Sequence, residues 1–368
     1  MNSRIWKIFI RWSVLTALLG SAIFATACNT TDRTRRGYLR ANAQTLGAPE
    51  RPAIVIAGFG VTRLFDPVTR RYVWGTPGAV FHTQFDDDVD LDANDRLVPQ
   101  GWVGSRGPIN TGWQLTIALR KFGGYTEGRD VYPFYYDWRR PARENAQRLR
   151  AFVANVREAH GGAKVDLVTH SAGAIVATTF VKLEGGADDV EHLVMIAPVL
   201  DGTIEAFRVF VRPERFIRRT FAPSVVATWP FVFELLPENG HVFLHDDTRD
   251  LWNANDWPAP IDATRLAAAR RFRDELRDAP MPRNVRVTTI AGDCVPTAQR
   301  ILARADGTFV IYPNELRDGE QPLARELFAP GDGTAVAHDA NVIVCDGHQG
   351  IAADPTVHRT LVRLLREE

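Results

Sequence analysis

Three residues of this chain stand in settings suited to nucleophilic attack on a carbonyl. Ser171 lies in Thr169-His170-Ser171-Ala172-Gly173, after the apolar run 165–169 and before the small-residue run 172–183. A serine in a sharp turn between a buried strand and a helix projects its hydroxyl from the sheet edge, with the next N–H groups facing the same space. The usual form is Gly-x-Ser-x-Gly, and Thr169 takes the first small position here. Without the strand, such a serine would be an ordinary helix N-cap. A serine nucleophile needs a base and a carboxylate to orient that base, in the chain order serine, acid, histidine. His348, in Asp346-Gly-His-Gln-Gly350 after the run 341–344, occupies the base position. Asp332, in Pro330-Gly-Asp-Gly-Thr334, is the candidate acid, and Asp293, just after the run 285–291, is its rival. His338 reads as a loop residue, His358 as part of the last helix, and His170 as packing beneath the turn. Acyl transfer also needs N–H donors for the developing oxyanion, and losing one costs about 3–4 kcal/mol. Ala172 and Phe59, the latter in Gly58-Phe59-Gly60, are the expected donors. The glycines would otherwise mark a plain tight turn.

The elements that must position these residues can be read from apolar runs. Residues 53–57, 131–136, 165–169, 192–197, 285–291 and 341–344 are short, continuous and apolar, as expected of strands buried on both faces. Helical patterns alternate with them. One opens at Pro141 with Leu149, Phe152, Val153 and Val156 on one face, and another at Asp354-Pro355 with Val357, Leu361, Leu364 and Leu365. This alternation indicates a mostly parallel α/β sheet flanked by helices. Residues 204–283 break it. They are rich in Phe, Trp, Pro and Arg and too long for a plain loop, so they read as an inserted cap between core segments 51–203 and 284–368. Within the cap, Trp229, Pro230, Phe231, Phe233, Leu235 and Leu236 suit either a lipid-facing surface or cap core.

Composition narrows the classes. The chain has 368 residues, 45% hydrophobic and 24% charged, which excludes a mainly disordered chain and a multi-span membrane protein. Lys+Arg and Asp+Glu are 44 each, a balance that argues against a nucleic-acid partner. Asp86 to Asp95 invites a calcium reading. Counted from Asp88, however, the sixth and twelfth loop positions hold Ala93 and Pro99 rather than Gly and Glu, so a solvated acidic loop is expected and no metal. No cofactor is expected either. Arg4, Lys7 and Arg11 precede the short apolar stretch 13–24, which is shorter than the roughly 20 residues of a membrane span and reads as a signal peptide over 1–27. Ala25-Thr26-Ala27-Cys28 resembles a bacterial lipobox, implying lipidation at Cys28 and a polar tether over 28–50. With Asn29 and not Asp after the cysteine, the expectation is an exported, membrane-anchored lipoprotein of the outer membrane or facing the periplasm. If Cys28 is lipidated, Cys294 and Cys345 remain as an even pair beyond neighbouring strand ends, within reach of a disulfide. The alternative is two unpaired thiols.

Several motifs together resemble the lecithin:cholesterol acyltransferase family of α/β-hydrolases. They are Ile56-Ala-Gly-Phe-Gly60, Phe65-Asp-Pro-Val-Thr-Arg-Arg-Tyr-Val-Trp-Gly75, Tyr136-Asp-Trp-Arg139, His170-Ser-Ala-Gly173, Ala197-Pro198 with Gly202-Thr203, Phe231-Val-Phe-Glu-Leu-Leu-Pro237, Gly331-Asp-Gly-Thr334 and His348, in the family's order. The chain departs from the pattern at Thr169, Ala174 and Ala335. The resemblance implies an α/β-hydrolase fold, Ser171 as nucleophile, Asp332 as acid, His348 as base, and Phe59 and Ala172 as oxyanion donors. It further implies a phospholipase-type ester hydrolase or serine O-acyltransferase, acting on a lipid or phospholipid with a sterol or other alcohol as possible acceptor. A simple lipase or esterase on neutral esters, or an inactive lipid-binding surface lipoprotein, are the alternatives. Tyr136 to Arg139 reads as packing plus a buried ion pair.

Overall fold

The computed structural model describes residues 46–76, 79, 86–104, 110–216 and 219–366. The signal segment, Cys28 and Asn29 lie outside the described residues. The six apolar runs form six strands: β1 (Ala53–Ile56), β2 (Val131–Phe134), β3 (Val165–His170), β4 (Val190–Ile196), β5 (Arg286–Gly292) and β6 (Val342–Val344). They make one sheet in the order β6-β5-β4-β3-β1-β2, every neighbouring pair parallel. The chain leaves β1 to one side, for β2, and returns on its other side, for β3. That reversal of strand order opens a crevice at the carboxyl ends of the strands.

Six main helices accompany the sheet: α1 (Thr111–Phe122), α2 (Ala142–Ala159), α3 (Gly173–Leu183), α4 (Ile204–Val211), α5 (Ala263–Asp278) and α6 (Pro355–Arg366). The core forms on both faces of the sheet, because successive strand side chains point to opposite sides. Ile54, Ile56, Leu167 and Leu193 meet Leu149 and Val153 of α2 and Ile175 and Phe180 of α3. Val55, Val168, Val194 and Ile290 meet Leu115 and Leu119 of α1 and Val357 and Leu361 of α6. Asp354 caps α6 through Oδ1, which accepts the N–H groups of Thr356 and Val357 at 2.6 and 3.1 Å.

Two features between β1 and β2 differ from the alternating pattern. Between β1 and β2 the chain makes a three-stranded antiparallel ribbon of Thr62–Asp66, Arg71–Trp74 and Val98–Trp102. Register shifts interrupt both of its pairings, so no period-two signal survives in the sequence. The acidic stretch is docked and not simply solvated. Arg139, fully buried and paired with Asp137, donates through Nη1 to the carbonyls of Val89 and Asn94, and Asp92 pairs with Arg265 of α5.

The cap segment carries α4, α5 and two short helices, Pro223–Val226 and Pro230–Glu234. Glu234 is buried, and Oε2 accepts the Ala142 N–H at 2.8 Å, capping the first turn of α2. Burial pushes this carboxyl up to about 8, against the opposing pull of the Ala142 bond, Arg273 and Arg143. Below the unfolded carboxyl value, about 4.3, both states are protonated and the contribution to stability is complete. As the pH rises towards 8 the unfolded chain ionises first, so stability falls. Glu234→Gln keeps an acceptor for Ala142 but cannot ionise. Calorimetry is expected to show a Tm equal to wild type near pH 4 and a gain of several degrees at about pH 8. A Tm difference independent of pH would exclude this titration.

Candidate active site

Ser171 sits in the turn between β3 and α3 with φ +56°, a left-handed conformation uncommon for a residue with a side chain. The turn is held from both sides: the Ser171 N–H donates to the Ile196 carbonyl at 3.0 Å, and the Ser171 carbonyl accepts the Ala174 N–H at 3.0 Å. Gly173 is required by close approach, since a Cβ there would lie 2.4 Å from the Ile56 carbonyl oxygen and 2.6 Å from that of Ala57. Thr169 is accommodated. It pairs with Ile56 of β1 and Met195 of β4, and its hydroxyl donates to the Val194 carbonyl at 3.4 Å.

The residues expected to serve Ser171 converge on it. Ser171 Oγ and His348 Nε2 are 2.7 Å apart, and His348 Nδ1 and Asp332 Oδ2 are 2.8 Å apart. With Nδ1–H donating to the carboxylate, Nε2 is left to accept the serine proton. The His348 N–H also donates to the Asp332 carbonyl at 2.8 Å. Asp332 Oδ1 accepts the N–H groups of Thr334 and Ala335 at 2.9 and 2.7 Å. Burial works to raise the Asp332 carboxyl, but the bond and charge of His348 and these two N–H groups hold it below its ordinary value. It therefore stays ionised beside the imidazole. His170 is fully enclosed, and burial, with His348 beside it, pushes it down to about 3. Neutral His170 donates from Nε2 to the His348 carbonyl at 2.8 Å, so it props the base loop from below.

Asp293 stands apart. It is exposed, and its N–H donates to the Val344 carbonyl at 3.2 Å, away from the histidine. The next residue, Cys294, forms a disulfide with Cys345, with the Cα atoms 5.1 Å apart. The bridge ties the end of β5 to the end of β6, three residues before His348. Gly292, at the end of β5, lets the acid and base loops meet, since a Cβ there would lie 2.6 Å from the Asp346 carbonyl oxygen and 3.0 Å from Asp332 Cβ. His338 is exposed in the acid loop, and His358 is buried in α6 with Nε2 donating to the Ala352 carbonyl.

Phe59 and Ala172 both line the cavity that Ser171 faces. Among the described residues, no intramolecular acceptor meets either backbone N–H. The Phe59 turn is pinned by three aromatic side chains that the sequence reading did not single out for this task. Tyr136 OH donates to the Ala57 carbonyl at 3.0 Å, Trp74 Nε1 to Gly60 at 2.7 Å and Trp138 Nε1 to Thr62 at 3.0 Å. Their signal in sequence was membership of the segments Phe65 to Gly75 and Tyr136 to Arg139, which carry the family resemblance. Thr203 and Thr297 were also missed. Thr203 Oγ1 donates to the Thr334 carbonyl at 2.7 Å, and Thr297 Oγ1 accepts the Gly333 N–H at 2.8 Å, bracing the loop of Asp332.

The cavity above Ser171 holds about 280 Å3, and its wall is mainly apolar. A larger cleft of about 610 Å3 lies beyond Thr203 and Thr334. It is polar, and neither Ser171 nor His348 lines it, so the chemistry belongs to the smaller space. Among the described residues no group of His, Cys, Asp or Glu is arranged to hold a metal ion. An oriented imidazole on a serine hydroxyl, with two N–H donors beside an apolar cavity, can carry out acyl transfer from an ester.

Two measurements follow from this geometry. Asp332→Asn is expected to lower ester turnover by about four orders of magnitude, as loss of the orienting carboxylate does elsewhere. Asp293→Asn should stay within a few-fold of wild type, and the reverse ranking in kcat/KM would reassign the acid. The disulfide closes a separation of 51 residues. Cys345→Ser is expected to remove up to about 4 kcal/mol of stability, read as a lower urea midpoint in unreduced protein. An unchanged midpoint would deny the bridge a stabilising role.

No curated protein matches this sequence. Among solved structures, the chain is similar to a chain of the Tle4-Tli4 complex, with 13% identity, a TM-score of 0.58, and coverage of 86% of this chain and 98% of that one. It also aligns with the mature lipase BlEst2 of Bacillus licheniformis at 13% identity and a TM-score of 0.46, covering 87% and 95% of the two chains. The model of the alpha/beta hydrolase family matches residues 111–348, well over half of the chain and including both Ser171 and His348. With a parallel sheet, a serine turn after β3 and a histidine after the last strand, the chain belongs to the alpha/beta hydrolase family.

Proposed function

We propose that this protein is a lipid ester enzyme, a phospholipase-type hydrolase or O-acyltransferase of the lecithin:cholesterol acyltransferase kind, working through an acyl-enzyme on Ser171. The observation that carries the reading is the hydrogen-bonded chain from Ser171 Oγ through His348 to Asp332, opening into an apolar cavity. Ser171 Oγ attacks the ester carbonyl as His348 Nε2 takes its proton, and the oxyanion is received by the N–H groups of Phe59 and Ala172. The C–O bond to the alcohol breaks as His348 returns the proton to the leaving oxygen. Water or a second alcohol then attacks the acyl-enzyme, with His348 again as base, and releases acid or a new ester. A sterol or another lipid alcohol is the acceptor in the transferase version. Export and a lipid anchor at Cys28 would hold the enzyme at a membrane surface, where such substrates reside.

A simple esterase on neutral esters is the second reading, favoured by the modest size of the cavity. Ser171→Ala is expected to lower turnover of any accepted ester by at least about a thousandfold without altering the far-UV spectrum. Wild type is expected to be labelled at Ser171 by a fluorophosphonate. Turnover of the alanine variant within a few-fold of wild type would remove Ser171 from the mechanism. Incubation with a phospholipid and a sterol separates the classes: free fatty acid marks a hydrolase and sterol ester a transferase. A folded, unlabelled wild type that turns over neither would leave a lipid-binding protein.

A further inference from the structure

We propose that the site selects the acyl half of its ester and leaves the alcohol half largely unread: the acyl chain runs to a buried apolar end at Phe221 and Val226, and the alcohol half lies in the open mouth beside Gln349. This rests on the ester-cleaving reading above.

The direction follows from the chemistry. Four groups diverge from the tetrahedral carbon: Ser171 Oγ, the oxyanion, the leaving oxygen and the acyl chain. The oxyanion goes to the N–H groups of Phe59 and Ala172. The leaving oxygen must come within about 2.6–3.2 Å of His348 Nε2, because that atom returns its proton. The alcohol half therefore starts on the His348 side, and the acyl chain departs on the side left free.

The two sides differ in depth. Gln349, next to the base, lines the cavity and is exposed, and Thr334 of the acid loop lines it half-buried, so this side meets water. Around the ring of Phe59 the lining is closed. Phe59 packs on Trp138 at 4.8 Å and on Trp229 at 6.0 Å between centroids. Trp229 continues to Phe221 at 5.4 Å, and Phe221 to Trp74 at 5.5 Å. These four rings beyond Phe59, and Val226, all line the cavity, and none is more than 4% exposed.

The two sides also differ in what they can recognise. Trp74, Trp138 and Trp229 each spend their N–H on a backbone carbonyl, those of Gly60, Thr62 and Val89. A hydroxyl or charged group pushed among these rings would give up water and gain no donor from them, whereas an alkyl chain is buried at no such cost. A group that projects past Gln349 keeps its water, so its size and polarity matter little. Acyl groups are thus told apart by burial, and alcohols hardly at all.

The test uses two ester series. Among p-nitrophenyl esters, kcat/KM for octanoate is expected to exceed that for acetate by at least about tenfold. Among octanoates, the ester of a methoxypolyethylene glycol, far too large for an enclosed cavity, should be cleaved within a few-fold of ethyl octanoate. Val226→Phe, which fills the buried end, should lower the octanoate-to-acetate ratio by about tenfold and leave the alcohol ratio unmoved. Gln349→Trp, which narrows the mouth, should do the opposite. Should Val226→Phe misfold, Phe221→Ala serves, by raising dodecanoate relative to octanoate. A glycol ester that is refused while acetate and octanoate are cleaved alike would overturn the inference, as would a Val226→Phe variant whose alcohol ratio shifts in place of its acyl ratio. Either result leaves the hydrolase reading standing. Silence towards every ester and towards the fluorophosphonate would remove both.

Discussion

A serine held at φ +56° between a strand and a helix is the constraint on which the rest of the structure depends. Such a conformation costs about 1–3 kcal/mol and persists only where the surroundings over-determine it. Here they do. β3 is paired on both sides by parallel, buried strands, the Ser171 N–H is taken by the last carbonyl of β4, and α3 begins almost immediately after the turn. Gly173 lets α3 rest directly on the end of β1, which brings the Phe59 turn beside the serine. The strained turn, the sheet register and the pair of free N–H groups are one arrangement.

The acid and the base reach the serine from loops after β5 and β6, and loops at strand ends are ordinarily mobile. Each is restrained here by several independent bonds. The disulfide joins the two loop starts, Thr203 and Thr297 hold the Asp332 loop from opposite sides, and His170 supports the backbone of His348. The first loop is treated alike, with Tyr136, Trp74 and Trp138 each donating to one of its carbonyls. Rigid placement matters for this chemistry because N–H donors aimed in advance need no reorganisation when charge develops.

Segment 204–283 completes the site. The N-cap of α4 supplies the Thr203 brace and the helix lines the apolar cavity, so one helix couples acid-loop geometry to the space offered to substrate. This segment in turn rests on buried polar groups. Glu234 caps α2, and Arg139 with Asp137 anchors the acidic segment beneath Trp229, whose N–H meets the same Val89 carbonyl that Arg139 does. The acidic run that resembles a calcium loop in sequence thereby has a structural role, as a carbonyl-rich ledge for a buried guanidinium.

Much of this was legible in sequence, because burial on both faces forces a strand to be continuously apolar and a nucleophile turn forces small residues after the serine. The six strands, the helices after Pro141 and Asp354, the alpha/beta hydrolase class, and the order Ser171, Asp332, His348 follow from those local demands. The ribbon between β1 and β2 did not show, since its bulges erase the alternation that marks a strand. The Gly331-Asp-Gly-Thr334 loop favoured Asp332 over Asp293 as the acid, but a loop motif does not by itself supply the geometry. Only folding places one beneath the imidazole and turns the other to solvent, because that choice depends on how the β5 and β6 ends meet across Gly292. The aromatic bonds to the Phe59 turn and the prop from His170 are likewise contacts between distant segments. Local pattern records which face of a residue is buried, and tertiary structure alone decides against what.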